Sequence, residues 1–233
     1  SIVYDFNRDG RADIFNTDYG SNSNLSFSNG NGTFTTYRNN PAVSSWAGGS
    51  SVAAGDFLGN GTTTLIITDT NTSKQDTKLF AWSVSSGSLV LSDLGALPIG
   101  RFDLPKWASY NFGGGDPATT KMSHNVRVLA FDFDNSGLTS AVIFSRPVMA
   151  NGAWLNLSEI QFLKNQGGGV FIDVTDNVLV GYNTSAPASY NTQLMDVNSD
   201  GLIDIVLSAP NWTSNEGSQI LIHTAEHKYV SSY

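Results

Sequence analysis

The chain has 233 residues, of which 40% are hydrophobic and 14% are charged, and its formal net charge is −8 at pH 7. This composition supports a folded core, whereas the excess of acidic residues argues against nucleic acid and anionic membranes as partners. The absence of cysteine excludes disulfides and cysteine-ligated zinc, and no apolar run approaches the ~18 residues needed to insert into a bilayer.

Four acidic stretches recur along the chain, each with aspartate first, a hydrophobic residue second and glycine sixth. They begin at Asp5, Asp56, Asp132 and Asp196. We call them loops 1 to 4 and number the residues of each from this aspartate, which is position one. A short strand-like segment precedes each loop, another follows it, and a hairpin with a glycine-containing turn comes next. This order predicts four antiparallel strands per repeat and almost no helix.

A four-stranded antiparallel unit that recurs at this spacing is typical of a β-propeller blade. We therefore predict an all-β fold whose approximate blades are residues 1–45, 46–94, 122–180 and 188–233, with an irregular insertion at 95–121. Two readings of the blade number stay open, a compact four-bladed ring and a segment of a larger propeller. The start at Ser1, inside a strand-like segment, favours a mature or excised piece.

The repeats resemble the FG-GAP/VCBS repeat family, the calcium-binding blades that also occur in integrin α-subunit propellers. The resemblance covers essentially the whole chain. It is most specific in "DFNRDGRAD" of loop 1 and "DVNSDGLID" of loop 4, and weaker in loops 2 and 3. It implies a calcium-stabilised β-propeller, usually of about seven blades in this family, with protein or carbohydrate ligands.

Oxygen-bearing side chains at alternate loop positions suit Ca²⁺, which takes about six to eight oxygen ligands. The predicted ligands are Asp5, Asn7, Asp9, Asp13 and the Arg11 carbonyl in loop 1, and Asp196, Asn198, Asp200, Asp204 and the Leu202 carbonyl in loop 4. Loop 3 offers Asp132, Asp134 and Ser136 as a third, weaker site. Loop 2, with Leu58 and Thr64 at positions three and nine, is expected to keep the turn without the metal. We expect the ion to pin the turn, and an ordinary Asp/Asn/Gly turn without an ion is the alternative.

Two other metal-binding motifs resemble parts of this sequence. An EF-hand needs glutamate at position twelve and flanking helices, but that position is Asn16 in loop 1 and Leu207 in loop 4, and strands flank both. The stretch from His223 to His227 matches the H-x-x-E-H zinc motif. It falls at a predicted hairpin turn, where we expect the two histidines not to converge on an ion.

The sequence indicates a binding role more than a catalytic one. No acid–base couple stands out beyond the loops, so we predict that the chain is not an enzyme. Trp107, Tyr110 and Trp212 lie in predicted loops, where they could stack on a sugar, fill a protein pocket or simply pack.

Weak calcium sites fill only at extracellular Ca²⁺ concentrations, so we predict a secreted or cell-surface module for adhesion or recognition. The alternatives are a lectin-like propeller, a structural segment of a long surface protein and an accessory domain of a secreted enzyme. The ligand, protein or glycan, is not identified, and the remaining blades or domains of a larger protein are further candidate partners.

Overall fold

Four antiparallel sheets, arranged as the blades of a four-bladed β-propeller, make up the fold. The computed structural model describes residues 1–17, 23–40, 51–68, 77–98, 122–148, 159–182, 191–208 and 219–232. The predicted all-β propeller is thereby confirmed, and within these ranges the helical content is one short helix, α1 (Thr175–Val178). No helix in the same ranges has the length and apolar character needed to cross a bilayer.

The strands of each blade follow one another in chain order across the sheet. Blade 1 contains β1 (Ile2–Tyr4), β2 (Asp13–Asn16), β3 (Asn24–Ser28) and β4 (Phe34–Arg38). Blade 2 contains β5 (Ser51–Gly55), β6 (Thr64–Thr68), β7 (Lys78–Ser85) and β8 (Ser88–Ala96). Blade 3 contains β9 (Met122–Phe131), β10 (Ser140–Val148), β11 (Glu159–Asn165) and β12 (Phe171–Asp173). Blade 4 contains β14 (Asn191–Met195), β15 (Asp204–Ser208), β16 (Gln219–His223) and β17 (Tyr229–Ser232).

The first strand of each blade is the innermost one. Residues of β1, β5, β9 and β14 together line a common cavity of about 190 Å³. Each acidic loop connects this inner strand to the second strand of its blade. The four loops therefore occupy equivalent places in the four blades.

A fifth strand, β13 (Leu179–Val180), links blade 3 to blade 4. It follows α1 in the chain but pairs in parallel with β17, with Leu179 opposite Tyr229 and Val180 opposite Val230. The ammonium of Lys228 also donates a hydrogen bond to the carbonyl of Asn177. The segment up to residue 180, which we predicted as the end of blade 3, thus includes a strand that completes the sheet of blade 4.

Tight turns account for the hairpins that sequence reasoning located from glycine pairs. The β7–β8 hairpin turns through Ser86 and Gly87, both with positive φ, at 49° and 75°. Positive φ at both central residues is the type I′ geometry, whose twist matches that of the two strands.

Three hydrophobic clusters lie between consecutive blades. Side chains alternate along the second strand, which begins at position nine of each loop, so successive residues of this strand face different neighbouring blades. Leu65 and Ile67, at positions ten and twelve of loop 2, pack against blade 1, whereas Ile66, at position eleven, packs against blade 3. In blade 3, Ile143 faces blade 2 and Val142 faces blade 4.

The middle blades are buried on both faces and the terminal blades on one. All five residues of β6 are buried, whereas buried and half-buried residues alternate along β2. Among the described residues, blade 1 contributes to the cluster with blade 2 and blade 4 to the cluster with blade 3. Within the ranges that the structure describes, the second faces of blades 1 and 4 belong to none of the three clusters.

The interface positions predict a clear difference in stability between two isoleucines. Ile66 is fully buried between blades 2 and 3, and Ile172 of β12 is 44% exposed. Ile66→Ala should lower the free energy of unfolding by about 2–5 kcal/mol because it opens a cavity between two sheets. Ile172→Ala should change it by less than about 0.5 kcal/mol. Urea denaturation of both variants measures this, and equal losses would contradict the assigned packing.

Candidate metal-binding loops

The aspartate at position one accepts two backbone hydrogen bonds in every loop. Its carboxylate oxygens bind the N–H groups of positions five and six. The donor–acceptor distances are 3.1 and 2.9 Å at Asp5, 3.1 and 2.6 Å at Asp56, 3.0 and 2.7 Å at Asp132, and 3.1 and 2.9 Å at Asp196. The chain reversal is thus the same in all four blades, including blade 2.

Two positions of positive φ allow the backbone to bend toward that carboxylate. Position six is glycine in each loop, with φ of 82° to 85° at Gly10, Gly61, Gly137 and Gly201. Position four also has positive φ, at Arg8, Gly59, Asn135 and Ser199. A side chain at position six would be strained in this conformation, which explains the recurring glycine.

A second set of hydrogen bonds continues the bend. The side chain at position five accepts the N–H of position seven in all four loops, at 2.9 Å for Asp9, 2.9 Å for Asn60, 3.4 Å for Ser136 and 2.8 Å for Asp200. In loops 1 and 4 the asparagine at position three also accepts the N–H of position five. These bonds form within the chain itself, so the turn is stabilised independently of an ion.

The aspartates at position nine have a different environment from the other predicted ligands. Asp13 and Asp204 are fully buried. The oxygens of Asp13 accept the N–H groups of Phe6 at 3.0 Å and Ser28 at 2.9 Å. Those of Asp204 likewise accept N–H groups, at position two of its loop and at the end of β16. Both carboxylates therefore tie the loop to the strands of its own blade.

In loop 1 a basic residue pairs with one of the predicted ligands. The guanidinium of Arg11 lies 2.5 Å from Asp9 and donates a further hydrogen bond to the carbonyl of Ser28 at 3.1 Å. Desolvation raises the pKa of Asp9, but hydrogen bonds from Asn7 and Arg11 and the charge of Arg11 outweigh it and hold the pKa below its ordinary value. Asp9 is therefore ionised and already partly neutralised.

In loop 3, too, a basic side chain pairs with one of the predicted ligands. The ammonium of Lys164, from β11, lies 2.6 Å from the carboxylate of Asp134 at position three. Burial raises the pKa of Asp134, but the neighbouring Lys164 and Ser136 lower it further than burial raises it. The lysine thus supplies positive charge at the place where a metal ion would bind.

Loop 4 differs from loops 1 and 3 in this respect. Position seven is Leu202, and among the described residues no lysine or arginine forms an ion pair with Asp196 or Asp200. Asn198 donates to Asp200 at 2.9 Å, which holds the side chains of positions three and five side by side. Loop 4 therefore has the least compensated negative charge of the three acidic loops.

Loop 2 is held by the neighbouring blade. The carbonyl of Phe57 accepts hydrogen bonds from Asn165 Nδ2 at 2.9 Å and from the N–H of Gly169 at 3.2 Å. The carbonyl of Leu58 accepts the N–H of Gly168 at 3.0 Å. These contacts come from the β11–β12 end of blade 3, so protein groups stabilise the one loop that lacks acidic side chains at positions three, five and nine.

The donor set of loops 1 and 4 fits a hard cation. Each provides oxygens from Asp, Asn and Asp at positions one, three and five, and a carbonyl at position seven, which are ligand types that Ca²⁺ prefers. Among the described residues, no three His, Cys, Asp or Glu side chains gather into a ready-made metal cluster. An ion in either loop would need further ligands, such as water, to complete its six to eight.

Trp107, Tyr110 and Trp212 lie outside the described residues. His223 and His227 flank the β16–β17 turn, and their ring centroids are 5.7 Å apart, closer than we expected, but no helix presents them together. His223 is buried and stacks on Tyr229, a member of the cluster between blades 3 and 4, with ring centroids 4.5 Å apart. Burial and the charge of His227 lower the pKa of His223.

Comparison with known families agrees with this geometry. The model of the FG-GAP-like repeat family matches residues 5–67, which run from loop 1 through loop 2 to β6. Over this range the chain is similar to an FG-GAP-like repeat. The resemblance predicted from the sequence is confirmed over this range, and loops 3 and 4 repeat the hydrogen bonding of the two loops inside it. No curated protein matched the chain.

Sequence reasoning missed Lys164 and Asn165, which act on loops 3 and 2. Neither could be found from loop spacing, because both reach the loops only through the folding of β11. The sequence did contain an indication of the hydrogen-bonding role of position nine, because the polar residues Thr64 and Ser140 replace aspartate there in loops 2 and 3. Both are buried hydrogen-bonding residues, as Asp13 and Asp204 are.

The hydrogen-bonded geometry that loop 2 shares with the other three loops leads to a prediction that involves no metal. Asp56→Ala removes two hydrogen bonds to backbone N–H groups and should cost about 1–2 kcal/mol of unfolding free energy, with or without EDTA. Asn60→Ala removes one such bond and should cost less. Chemical denaturation of both variants tests this, and an Asp56→Ala protein as stable as the parent would refute the role of position one.

Proposed function

We propose that the chain is a calcium-stabilised, extracellular β-propeller module that serves adhesion or recognition and has no catalytic role. The observation that supports this best is loop 4. Asp196, Asn198 and Asp200 lie in one bend, with both carboxylates free of basic partners in the described structure. A divalent cation bound there would offset the repulsion between the two carboxylates.

The four loops rank differently as calcium sites on physical grounds. Loop 4 ranks first, and loop 1 follows because Arg11 competes for Asp9. Loop 3 is weaker again since Lys164 neutralises Asp134, and loop 2 is expected to bind no ion because its contacts with blade 3 replace one. Asp5, Asn7 and Asp9 would hold the ion in loop 1, and Asp196, Asn198 and Asp200 would hold it in loop 4.

The proposed location follows from the small number of protein ligands. A site that depends on water for part of its coordination fills at the millimolar Ca²⁺ found outside cells and stays empty at cytosolic concentrations. Binding then stabilises the folded state by RT ln(1 + [Ca²⁺]/Kd), and its contribution disappears when the ion is withdrawn. The formal net charge of −8 adds a general attraction for cations.

Melting experiments test the calcium proposal. With 10 mM Ca²⁺ and a Kd of about 0.1–1 mM, each site adds roughly 1.4–2.7 kcal/mol, and each kcal/mol raises Tm by about 2–4 °C in a chain of this size. EGTA should lower Tm by several degrees and Ca²⁺ should restore it. An unchanged melting curve would refute structural calcium.

The same position in two loops supplies the matched variants. Asp200→Ala should lose the part of the Ca²⁺-dependent Tm increase that comes from loop 4, whereas Asn60→Ala, at position five of loop 2, should keep the full increase. Comparing the increase rather than the absolute Tm separates ion binding from the backbone hydrogen bonds that both side chains make. Equal Ca²⁺ responses in the two variants would refute the ranking of the loops.

The recognition role needs its own test, because stability does not identify a ligand. We expect the Ca²⁺-loaded chain to bind a glycan array or immobilised extracellular matrix proteins, and binding should fall in EGTA as the blades loosen. Selective binding on the glycan array alone would favour the lectin-like alternative. Turnover of a substrate by the purified chain would contradict the non-catalytic proposal.

A further inference from the structure

The cavity between the inner strands combines apolar walls with an arginine. We call this space of about 190 Å³ the central cavity, and strands of all four blades line it. Each blade contributes the residue two places before its loop aspartate, and all four of these residues are apolar: Val3, Ala54, Ala130 and Leu194. Val3 is 67% exposed, so the cavity can be reached from solvent. Among the described residues that line it, the charged one is Arg127 of β9.

The guanidinium of Arg127 has no acidic partner in the described part of the chain. Its Nε–H donates a hydrogen bond to the hydroxyl of Thr192 in β14 at 3.3 Å, and its Nη atoms donate to no described residue. None of the ion pairs between described residues includes Arg127, although the chain has 20 acidic residues. The side chain is thus held between the inner strands of blades 3 and 4 with most of its donors unused.

Partial burial makes this unpaired charge unfavourable. Arg127 is half-buried, and desolvation lowers the pKa of its guanidinium, although the group stays protonated at neutral pH. The equivalent residues, five places before the loop aspartate, are the uncharged Ser51 in blade 2 and Asn191 in blade 4. An inner strand therefore forms without a charge at this place. An anion in the central cavity would offset the desolvation of Arg127.

We propose that the central cavity binds an aliphatic monocarboxylate, whose carboxylate pairs with Arg127 and whose hydrocarbon chain lies against the apolar walls. A planar carboxylate matches the guanidinium fork and accepts two parallel N–H bonds from it. A phosphate group carries more charge and more oxygens than one guanidinium satisfies. An amino acid also fits poorly, because the described residues that line the cavity include no acidic side chain to pair with its ammonium.

The size of the cavity limits the length of the ligand. An apolar cavity of about 150 Å³ holds one benzene molecule, so this cavity accommodates an acid of about four to six carbons. Each CH₂ group that leaves water for the apolar wall strengthens binding about fourfold. With one charged contact and a short hydrocarbon chain, we expect a Kd of about 1 mM. The cavity is separate from the four loops, so binding does not rest on the calcium proposal.

An NMR titration of protein with labelled Ile, Leu and Val methyl groups tests the proposal at constant Ca²⁺. Sodium pentanoate should shift the methyl signals of Val3, Val128 and Leu194, which line the cavity. Arg127→Met should weaken binding by about tenfold to a hundredfold, because it removes the charged donors. Arg127→Lys keeps the charge without the fork and should weaken it less, and it carries the comparison if Arg127→Met misfolds. Arg38→Met, which removes an exposed arginine from β4, should bind like the parent.

Analogues of pentanoate separate the two parts of the ligand. Pentanamide has nearly the same shape without the charge and should bind about tenfold more weakly or worse. Acetate lacks three CH₂ groups and should also lose about tenfold or more. Sodium chloride at the same concentration should leave the methyl signals unchanged. Equal shifts with pentanamide or sodium chloride, undiminished binding by Arg127→Met, or no shift of the cavity methyl signals would each overturn the proposal.

Discussion

The fold depends on one hydrogen-bonded bend, in which an aspartate carboxylate accepts the N–H groups four and five residues further along the chain. This bend turns the inner strand of each blade into the second strand and sets the direction of the sheet. Hydrogen bonds to a charged acceptor are stronger than those to a neutral one, so an ionised aspartate suits the position. Each blade therefore places a negative charge beside its inner strand, and the surrounding structure must accommodate that charge.

The blades accommodate it in different ways. Arg11 pairs with Asp9 in loop 1, Lys164 pairs with Asp134 in loop 3, and the end of blade 3 supplies hydrogen bonds to the carbonyls of loop 2. Loop 4 keeps two carboxylates without a basic partner among the described residues. This explains why a shared turn does not imply a shared affinity for metal: the backbone bonds define the bend, and the local charge balance decides how much a cation would add.

The packing between blades follows from the alternation of side chains along the second strand, which begins at position nine of each loop. Position eleven faces the next blade and positions ten and twelve face the preceding one, so one strand serves two interfaces in blades 2 and 3. Among the described residues, blades 1 and 4 contribute to one cluster each. On the face outside these clusters, blade 1 carries polar pairs at Asn16 and Ser26 beside the apolar Ile14, and blade 4 carries Val206 beside the exposed Gln193.

The sequence by itself determined the strand order, the four loops and the turn residues, because these depend on local patterns: alternation along a strand, glycine where φ is positive, and oxygen side chains at odd loop positions. It also predicted the repeat family from loops 1 and 4. Only the tertiary structure decided that Asp13 and Asp204 face the strands and that Lys164 reaches Asp134. It likewise showed that β13 joins the sheet of blade 4. These features join residues far apart in the chain, and their energies depend on distances and burial that exist only after the blades have packed.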